Sequence, residues 1–187
     1  ELDYSLVDTS RGYLVLASSL VEKALERFHL QGGTVVATVR GQMLGGLQFR
    51  HPLYEVDPAY RRLSPVYLAD YATAEDGTGI VHSSPAYGLD DFNSCVAHGV
   101  QYDDILNPVQ ANGGFAGDFA PFGGQNIWKA VPNIIGTLDQ AGRLFATAPI
   151  THSYPHCWRH KSPVIYRAAA QWFIRMDEGE GVFTKDK

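Results

Sequence analysis

Short β-type segments separated by glycine-containing turns constrain the fold of this chain more than any other feature. Residues 4–7 and 13–16 flank a turn at residues 9–12, a pattern that predicts a hairpin. Residues 34–39 are rich in β-branched side chains and predict a further strand. The regular alternation of strand and helix that a doubly wound parallel sheet requires is missing. We therefore predict a mixed, β-rich fold: a closed or distorted β-barrel core with peripheral α-helices.

Five further segments have the composition of strands, and three have helical patterns. The additional predicted strands are residues 47–49, 65–69, 79–82, 144–150 and 163–166. Ser19 and Glu22 match a capping box, in which the two side chains satisfy free N–H groups where a helix begins. A second helix is predicted over residues 89–98, and a third from Pro132, which suits a first helical position. Residues 107–126 are predicted to form a long irregular loop.

Composition limits the domain count and the classes of partner. With 187 residues, 45% of them hydrophobic, the chain is long enough for one sizeable core. We predict one domain over residues 1–150 and an appended segment over 151–187. A formal net charge of -5 argues against broad binding of a nucleic-acid duplex, yet is compatible with contact to one single-stranded end. No apolar run is long enough to suggest a membrane span, and two cysteines fit a reducing, cytoplasmic compartment.

The densest cluster of chemically capable residues runs from Asp76 to Phe92. In this segment a predicted strand ends at His82, and a predicted helix begins with Asp90 and Asp91. Backbone N–H groups, an imidazole and a carboxylate could therefore converge at one strand-to-helix corner and orient a water. The alternative from the residues alone is structural: Asp90 caps the helix, Asp91 complements its dipole and His82 is an ordinary strand histidine.

The same segment carries a family resemblance. Residues 77–92, GTGIVHSSPAYGLDDF, resemble the Gly-Thr-Gly, His, Pro-Ala and Asp-Asp segment of the editing domain inserted in isoleucyl-, valyl- and leucyl-tRNA synthetases. Residues 152–173 look like the segment in which the isoleucyl enzyme returns to its catalytic core, and their Tyr-Pro-His-Cys-Trp-Arg run favours the isoleucyl member. The resemblance spans nearly the whole chain and implies the editing-domain fold of that family.

The resemblance implies hydrolysis of valine wrongly attached to the isoleucine tRNA. Asp91 matches the aspartate that holds the α-ammonium of the substrate. His82 matches the histidine that lines the amino-acid pocket, where it excludes the larger side chain and helps to place water. The run Gly77, Thr78 and Gly79 is expected to shape the pocket wall. The implied partners are the 3′-terminal adenosine of the aminoacylated tRNA, its valine moiety and the rest of the synthetase chain.

The sequence departs from the family pattern in two respects. The threonine-rich strand that the family places before a sequence like residues 1–4 is absent, so we expect an excised piece whose editing site is incomplete by itself. The family's ATP signatures, His-Ile-Gly-His and Lys-Met-Ser-Lys-Ser, are absent too. We expect no cofactor for this segment, whereas the resemblance implies ATP and magnesium for the full-length synthetase.

Residues 152–167 contain two weaker signals. Cys157 and His160 have the spacing of half a zinc site, which His152 and His156 could complete, but no second cysteine pair is present and we expect no bound zinc. The basic run from Arg159 to Arg167 is interleaved with aromatic residues, which suits either a single-stranded RNA end or a solvated surface strand.

Two other functions are compatible with the sequence. One is the editing domain of a valyl enzyme, which would remove threonine. The other is a non-catalytic module on the same fold that docks tRNA or protein, an alternative that the missing threonine-rich strand supports.

Overall fold

The computed structural model describes residues 2–174 and residue 176. Its first half contains an antiparallel three-stranded sheet of order β2-β1-β3. The strands are β1, Asp3–Thr9, β2, Gly12–Ala17, and β3, Gly33–Arg40, with helix α1, Val21–Arg27, between β2 and β3. The predicted first hairpin and the strand after α1 are thereby confirmed. The predicted segment 151–187 lies partly outside the described residues.

The chain after β3 contains a two-stranded sheet and two α-helices. Strands β4, Gln48–Arg50, and β5, Leu63–Pro65, pair antiparallel. Helix α2, Leu89–Ala97, occupies the predicted position and ends before Gly99, whose φ of +90° suits a helix stop. Helix α3, Ile127–Gln140, follows the predicted irregular loop.

Two helix starts differ from the prediction. Ser19 lies in a short 3-10 turn that precedes α1, and no side chain caps that helix, so the predicted capping box is wrong. Helix α3 begins at Ile127, and Pro132 lies inside it. The Asn126 side chain accepts a hydrogen bond from the Trp128 N–H at 3.1 Å, which satisfies a free donor and begins the helix earlier.

Three of the predicted strands do not form, and one is shorter than expected. Residues 79–82 and 144–150 belong to no strand, and residues 163–166 contribute only an isolated bridge between Pro163 and His156. Strand β5 ends at Pro65, so residues 66–69 lie outside it. These segments have strand-like composition but no neighbouring strand to receive their backbone hydrogen bonds.

The buried hydrophobic residues form three small clusters. Two lie where the first sheet packs against α1 and the preceding turn; their buried members are Val7, Leu16, Val21 and Ala24, and Tyr4, Ala17 and Leu20. The third contains Leu53, Tyr60 and Phe122, with Phe115 and Phe119 packed against it. The phenylalanines of the irregular loop therefore anchor the third cluster, whereas Trp128 is 49% exposed.

The strands of the described residues do not close into a barrel. The mixed, sheet-rich character that the sequence predicts is confirmed: strands and helices are both present, and the sheets are separate and open. Among residues 2–174 and 176, no helix has the length and apolar character needed to cross a membrane.

Candidate functional site

The run Gly77, Thr78 and Gly79 forms a turn that is fixed to the first sheet. The Ala17 N–H donates a hydrogen bond to the Thr78 carbonyl at 2.8 Å, and the Tyr4 hydroxyl donates to the Gly79 carbonyl at 2.6 Å. Both glycines have a φ of +77°, which residues with a Cβ rarely adopt. Gly79 also lies against Ala17 so closely that an added Cβ would overlap the Ala17 side chain. The turn therefore has a rigid position at the end of the β1–β2 hairpin.

An ion pair holds the residue before this turn. The Arg27 guanidinium contacts the Asp76 carboxylate, and both side chains are largely exposed. The pKa of Asp76 is lowered, first by the hydrogen bond from the Gly77 backbone N–H and then by Arg27. The turn is thus tied to α1 as well as to the sheet.

His82 lies on an irregular, exposed segment and not at the end of a strand. Its Nδ1 is 3.4 Å from the Ser84 hydroxyl, the only side chain of the described residues to which it hydrogen-bonds. The predicted strand that was to deliver His82 is therefore wrong. The imidazole is instead exposed to solvent, where it can bind a ligand or a water without displacing protein atoms.

Asp91 lies in the first turn of α2, as the sequence predicts. Helix α2 begins after Gly88 without a side-chain cap, so the alternative in which Asp90 caps the helix is wrong. The Asp91 side chain folds back over Gly88, where an added Cβ would lie 2.7 Å from Oδ2. Burial raises the pKa of the Cys95 thiol, and the negative charge of Asp91 raises it further. The Asp91 carboxylate therefore faces the side of α2 that carries Cys95.

Asp91 is a half-buried residue, and no described residue forms a hydrogen bond or ion pair with its carboxylate. A carboxylate without a protein partner is available to a cationic ligand. Partial burial distinguishes Asp91 from Asp90, which is exposed to solvent.

The loop between His82 and Asp91 is held in place by contacts with other parts of the chain. No hydrogen bond or ion pair links the two side chains. Between them, Ala86 is buried and its carbonyl accepts a hydrogen bond from the Ala168 N–H at 2.6 Å. The neighbouring Tyr87 hydroxyl accepts one from the Val109 N–H at 3.2 Å. The loop between the two predicted site residues is therefore held from both sides.

His51 is a neighbour of His82 that the sequence did not single out. Its ring stacks on Tyr60, with centroids 4.6 Å apart and planes inclined by 24°. Burial lowers the pKa of His51, and the positive charges of Arg62 and His82 lower it further. The charges of Arg62 and His82 are therefore close enough to His51 to affect its protonation. A histidine before a proline in a turn carries no periodicity, so only the three-dimensional fold reveals this grouping.

Cys157 and His160 adjoin each other, with Sγ 3.4 Å from Nδ1. They belong to a tight turn closed by two backbone hydrogen bonds, Cys157 N–H to Ser162 and Lys161 N–H to Cys157. No group of three or more metal-ligating side chains occurs in the part of the chain that the structure describes. The pair supplies two of the four ligands that a structural zinc site normally has.

The basic stretch exposes aromatic rings as well as cations. Trp158 and Tyr166 are 76% and 62% exposed, and the Arg159 guanidinium lies 4.9 Å from the Trp158 ring centroid. Arg167 is also exposed, and its Nε donates to the Val109 carbonyl at 3.0 Å. The exposed part of this stretch has the ring and charge composition that suits a single-stranded RNA end.

No protein-family model matches the chain. Curated relatives do match it closely. The isoleucine–tRNA ligase of Chromohalobacter salexigens is 58% identical over 178 residues, which cover 95% of this chain and 18% of that protein. The ligase of Paraburkholderia xenovorans is 55% identical over 177 residues, 95% of this chain and 19% of that protein.

The isoleucine–tRNA ligase of Pseudomonas paraeruginosa aligns over the entire chain, with 54% identity over 189 positions and 19% of that protein covered. This chain is thus homologous to a segment of bacterial isoleucine–tRNA ligases. It spans less than a fifth of the length of these relatives.

Proposed function

We propose that this chain is the editing segment of an isoleucine–tRNA ligase and hydrolyses the ester of valine wrongly attached to the isoleucine tRNA. Two observations support the proposal: close homology to a segment of such ligases, and the motif at residues 77–92. The observation that carries it is Asp91, a half-buried residue whose carboxylate has no hydrogen-bond or ion-pair partner among the described residues.

The need for such a hydrolase follows from the size of the two amino acids. A pocket that accepts isoleucine gains only about 1–3 kcal/mol over valine from the extra methylene, and discrimination by these synthetases is itself the standard example of that magnitude. A second site must therefore remove the smaller product after transfer. The same site could also act on valyl-adenylate.

Asp91 binds the α-ammonium of the esterified amino acid in this proposal. An ammonium that leaves water requires a nearby anion, and a carboxylate without a protein partner supplies one. Only an amino acid with a free α-ammonium and a small side chain then places its ester correctly. Asp91 acts by orienting the substrate, which is a large source of rate acceleration.

His82 stands beside the ester and contributes to the placement of the attacking water. An exposed imidazole with one weak contact, to Ser84, is free to hydrogen-bond to water and to block a longer side chain. The opposing wall of the proposed pocket is the turn at Gly77, Thr78 and Gly79, whose position is fixed by hydrogen bonds to the first sheet. We assign no covalent nucleophile, since an activated ester can react with a positioned water.

The proposed partners and compartment are inferred from the resemblance to isoleucine–tRNA ligases. The partners are the 3′-terminal adenosine of the tRNA and the rest of the ligase chain, and the compartment is the cytoplasm. Amino-acid activation with ATP and magnesium belongs to other parts of the ligase. A distorted barrel would require strands in addition to those described here.

A non-catalytic docking module is the second candidate. The open sheets of the described residues favour it, because they do not enclose a pocket. Binding without hydrolysis would be its signature. A valyl-type editing domain would instead release threonine from the valine tRNA.

The test is deacylation by a chimera in which this chain replaces the matching segment of the Pseudomonas paraeruginosa ligase. The 187-residue chain alone and a ligase that lacks the segment are measured as controls. We expect the chimera to release valine, but not isoleucine, from the isoleucine tRNA. Asp91→Asn should slow the release about 10- to 100-fold, the effect of losing a charged hydrogen bond, while Asp90→Asn should change it less than about threefold. Equal release of isoleucine, or equal effects of the two substitutions, would contradict the proposal.

A further inference from the structure

The end of the β4–β5 hairpin that is closed by the connecting segment brings His51 and Arg62 opposite each other. In this hairpin Gln48 pairs with Pro65 and Arg50 pairs with Leu63. Continued by one residue, the same antiparallel register places His51 across from Arg62, where opposing side chains are close neighbours. The two residues therefore share one rim although they are eleven positions apart in sequence.

His51 is held there as a hydrogen-bond donor. The Leu53 N–H donates to its Nδ1 at 3.0 Å, so the neutral ring carries its proton on Nε2. Its stacking partner, Tyr60, is 6% exposed and belongs to the third core cluster. Because a buried ring supports the imidazole from below, the Nε2–H group has a fixed direction.

The carboxylates of Glu55 and Asp57, between His51 and Arg62 in sequence, have other partners. Glu55 pairs with Arg50 at 3.7 Å, and Asp57 accepts a hydrogen bond from the Ala59 N–H at 2.8 Å. No carboxylate of the described residues forms an ion pair with Arg62. The charge of His82 also acts on His51, so the proposed hydrolytic site borders the same rim.

We propose that His51 and Arg62 form a phosphate subsite that binds the 5′-phosphate of the terminal nucleotide of the substrate. This inference rests on the proposed function, which places the ester of that nucleotide beside His82. The phosphate and the ester belong to one nucleotide, so a phosphate contact next to His82 would set the position of the ester. Arginine binds phosphate through paired N–H groups, and the His51 Nε2–H adds a neutral donor.

Measurements of ligand binding test this subsite independently of hydrolysis. Dissociation constants for adenosine, adenosine 5′-monophosphate and inorganic phosphate are measured on the 187-residue chain and on the chimera at low ionic strength. We expect at least about tenfold tighter binding of the monophosphate than of adenosine, the effect of one charged hydrogen bond. Inorganic phosphate alone should bind more weakly than the monophosphate.

Three substitutions identify the residues responsible. Arg62→Ala should abolish the preference for the monophosphate. His51→Phe, which keeps a ring over Tyr60 but removes the donor, should reduce it. Arg61→Ala, an adjacent exposed arginine outside the pairing position, should leave it unchanged.

The outcomes distinguish the two proposals. No preference in the unsubstituted protein, or a preference that survives Arg62→Ala, overturns the subsite. Equal binding of inorganic phosphate and the monophosphate overturns its assignment to a nucleotide. A preference that depends on Arg62, together with no release of valine, supports the subsite as a nucleotide-binding element and overturns the hydrolase.

Discussion

The Tyr4 hydroxyl donates a 2.6 Å hydrogen bond to the Gly79 carbonyl and so connects residues that are 75 positions apart. Tyr4 is 8% exposed and belongs to the core cluster with Ala17 and Leu20. The bond therefore fixes one wall of the proposed pocket directly to the core of the first sheet.

Tyr4→Phe should destabilise the protein by about 1–3 kcal/mol, because it leaves a buried carbonyl without its donor. Tyr13→Phe is the control, since Tyr13 is 67% exposed and its substitution should change the free energy of unfolding by less than about 0.5 kcal/mol. Urea denaturation of both variants measures the difference. Equal stability of the two would contradict the structural role of the hydroxyl.

Gly79→Ala should cost more stability than Gly77→Ala. The two glycines share a φ of +77°, so each substitution carries a conformational cost of about 1–2 kcal/mol. At Gly79 the new methyl group also overlaps Ala17, whereas no atom lies within 4 Å at Gly77. We expect a total of about 2–4 kcal/mol for Gly79→Ala from denaturant unfolding. A larger loss at Gly77 would be inconsistent with this packing.

Acidification should destabilise the protein partly through His51. Its pKa is lowered in the folded state from the ordinary value of 6.5, first by burial. The unfolded state therefore binds more protons near and below pH 6.5, so stability falls as the pH decreases through that value. His51→Gln removes this titration, and the free energy of unfolding should decline less between pH 7.5 and 5. Parallel stability curves for the two proteins would show that His51 makes no such contribution.

Leu20→Ala should destabilise the protein by about 2–5 kcal/mol, because Leu20 is 2% exposed in the core beneath the first sheet. Leu106→Ala removes the same atoms from a side chain that is 49% exposed, and should cost less than about 0.5 kcal/mol. Thermal or urea unfolding of the pair measures how much this small cluster contributes.

Elements whose signals are local and self-consistent were predictable from the sequence. The β1–β2 hairpin has strand-type residues on both sides of a short turn, and β3 is rich in β-branched residues. Helix α2 has helical spacing and a glycine that stops it. Each of these patterns specifies one structure without help from distant residues.

Elements that depend on competing or distant partners were not predictable. The start of α3 was decided by the Asn126 cap rather than by Pro132. The segment that contains His82 has strand composition, but only the presence of a partner strand could have made it a strand. The position of Asp91 was predictable from its helix, whereas the approach of His51 to His82 depends on how the β4–β5 hairpin folds against Tyr60.

Strand β3 has a consequence for handling the protein in solution. All eight of its residues are exposed, and its outer edge pairs with no strand of the described residues. Val35, Val36 and Val39 are 48%, 50% and 38% exposed, and Arg40 is the only charged residue of the strand. An open edge with this composition promotes pairing between molecules. Concentrated samples should therefore lose monomer on storage, and a lysine introduced at Val36 should extend their shelf life.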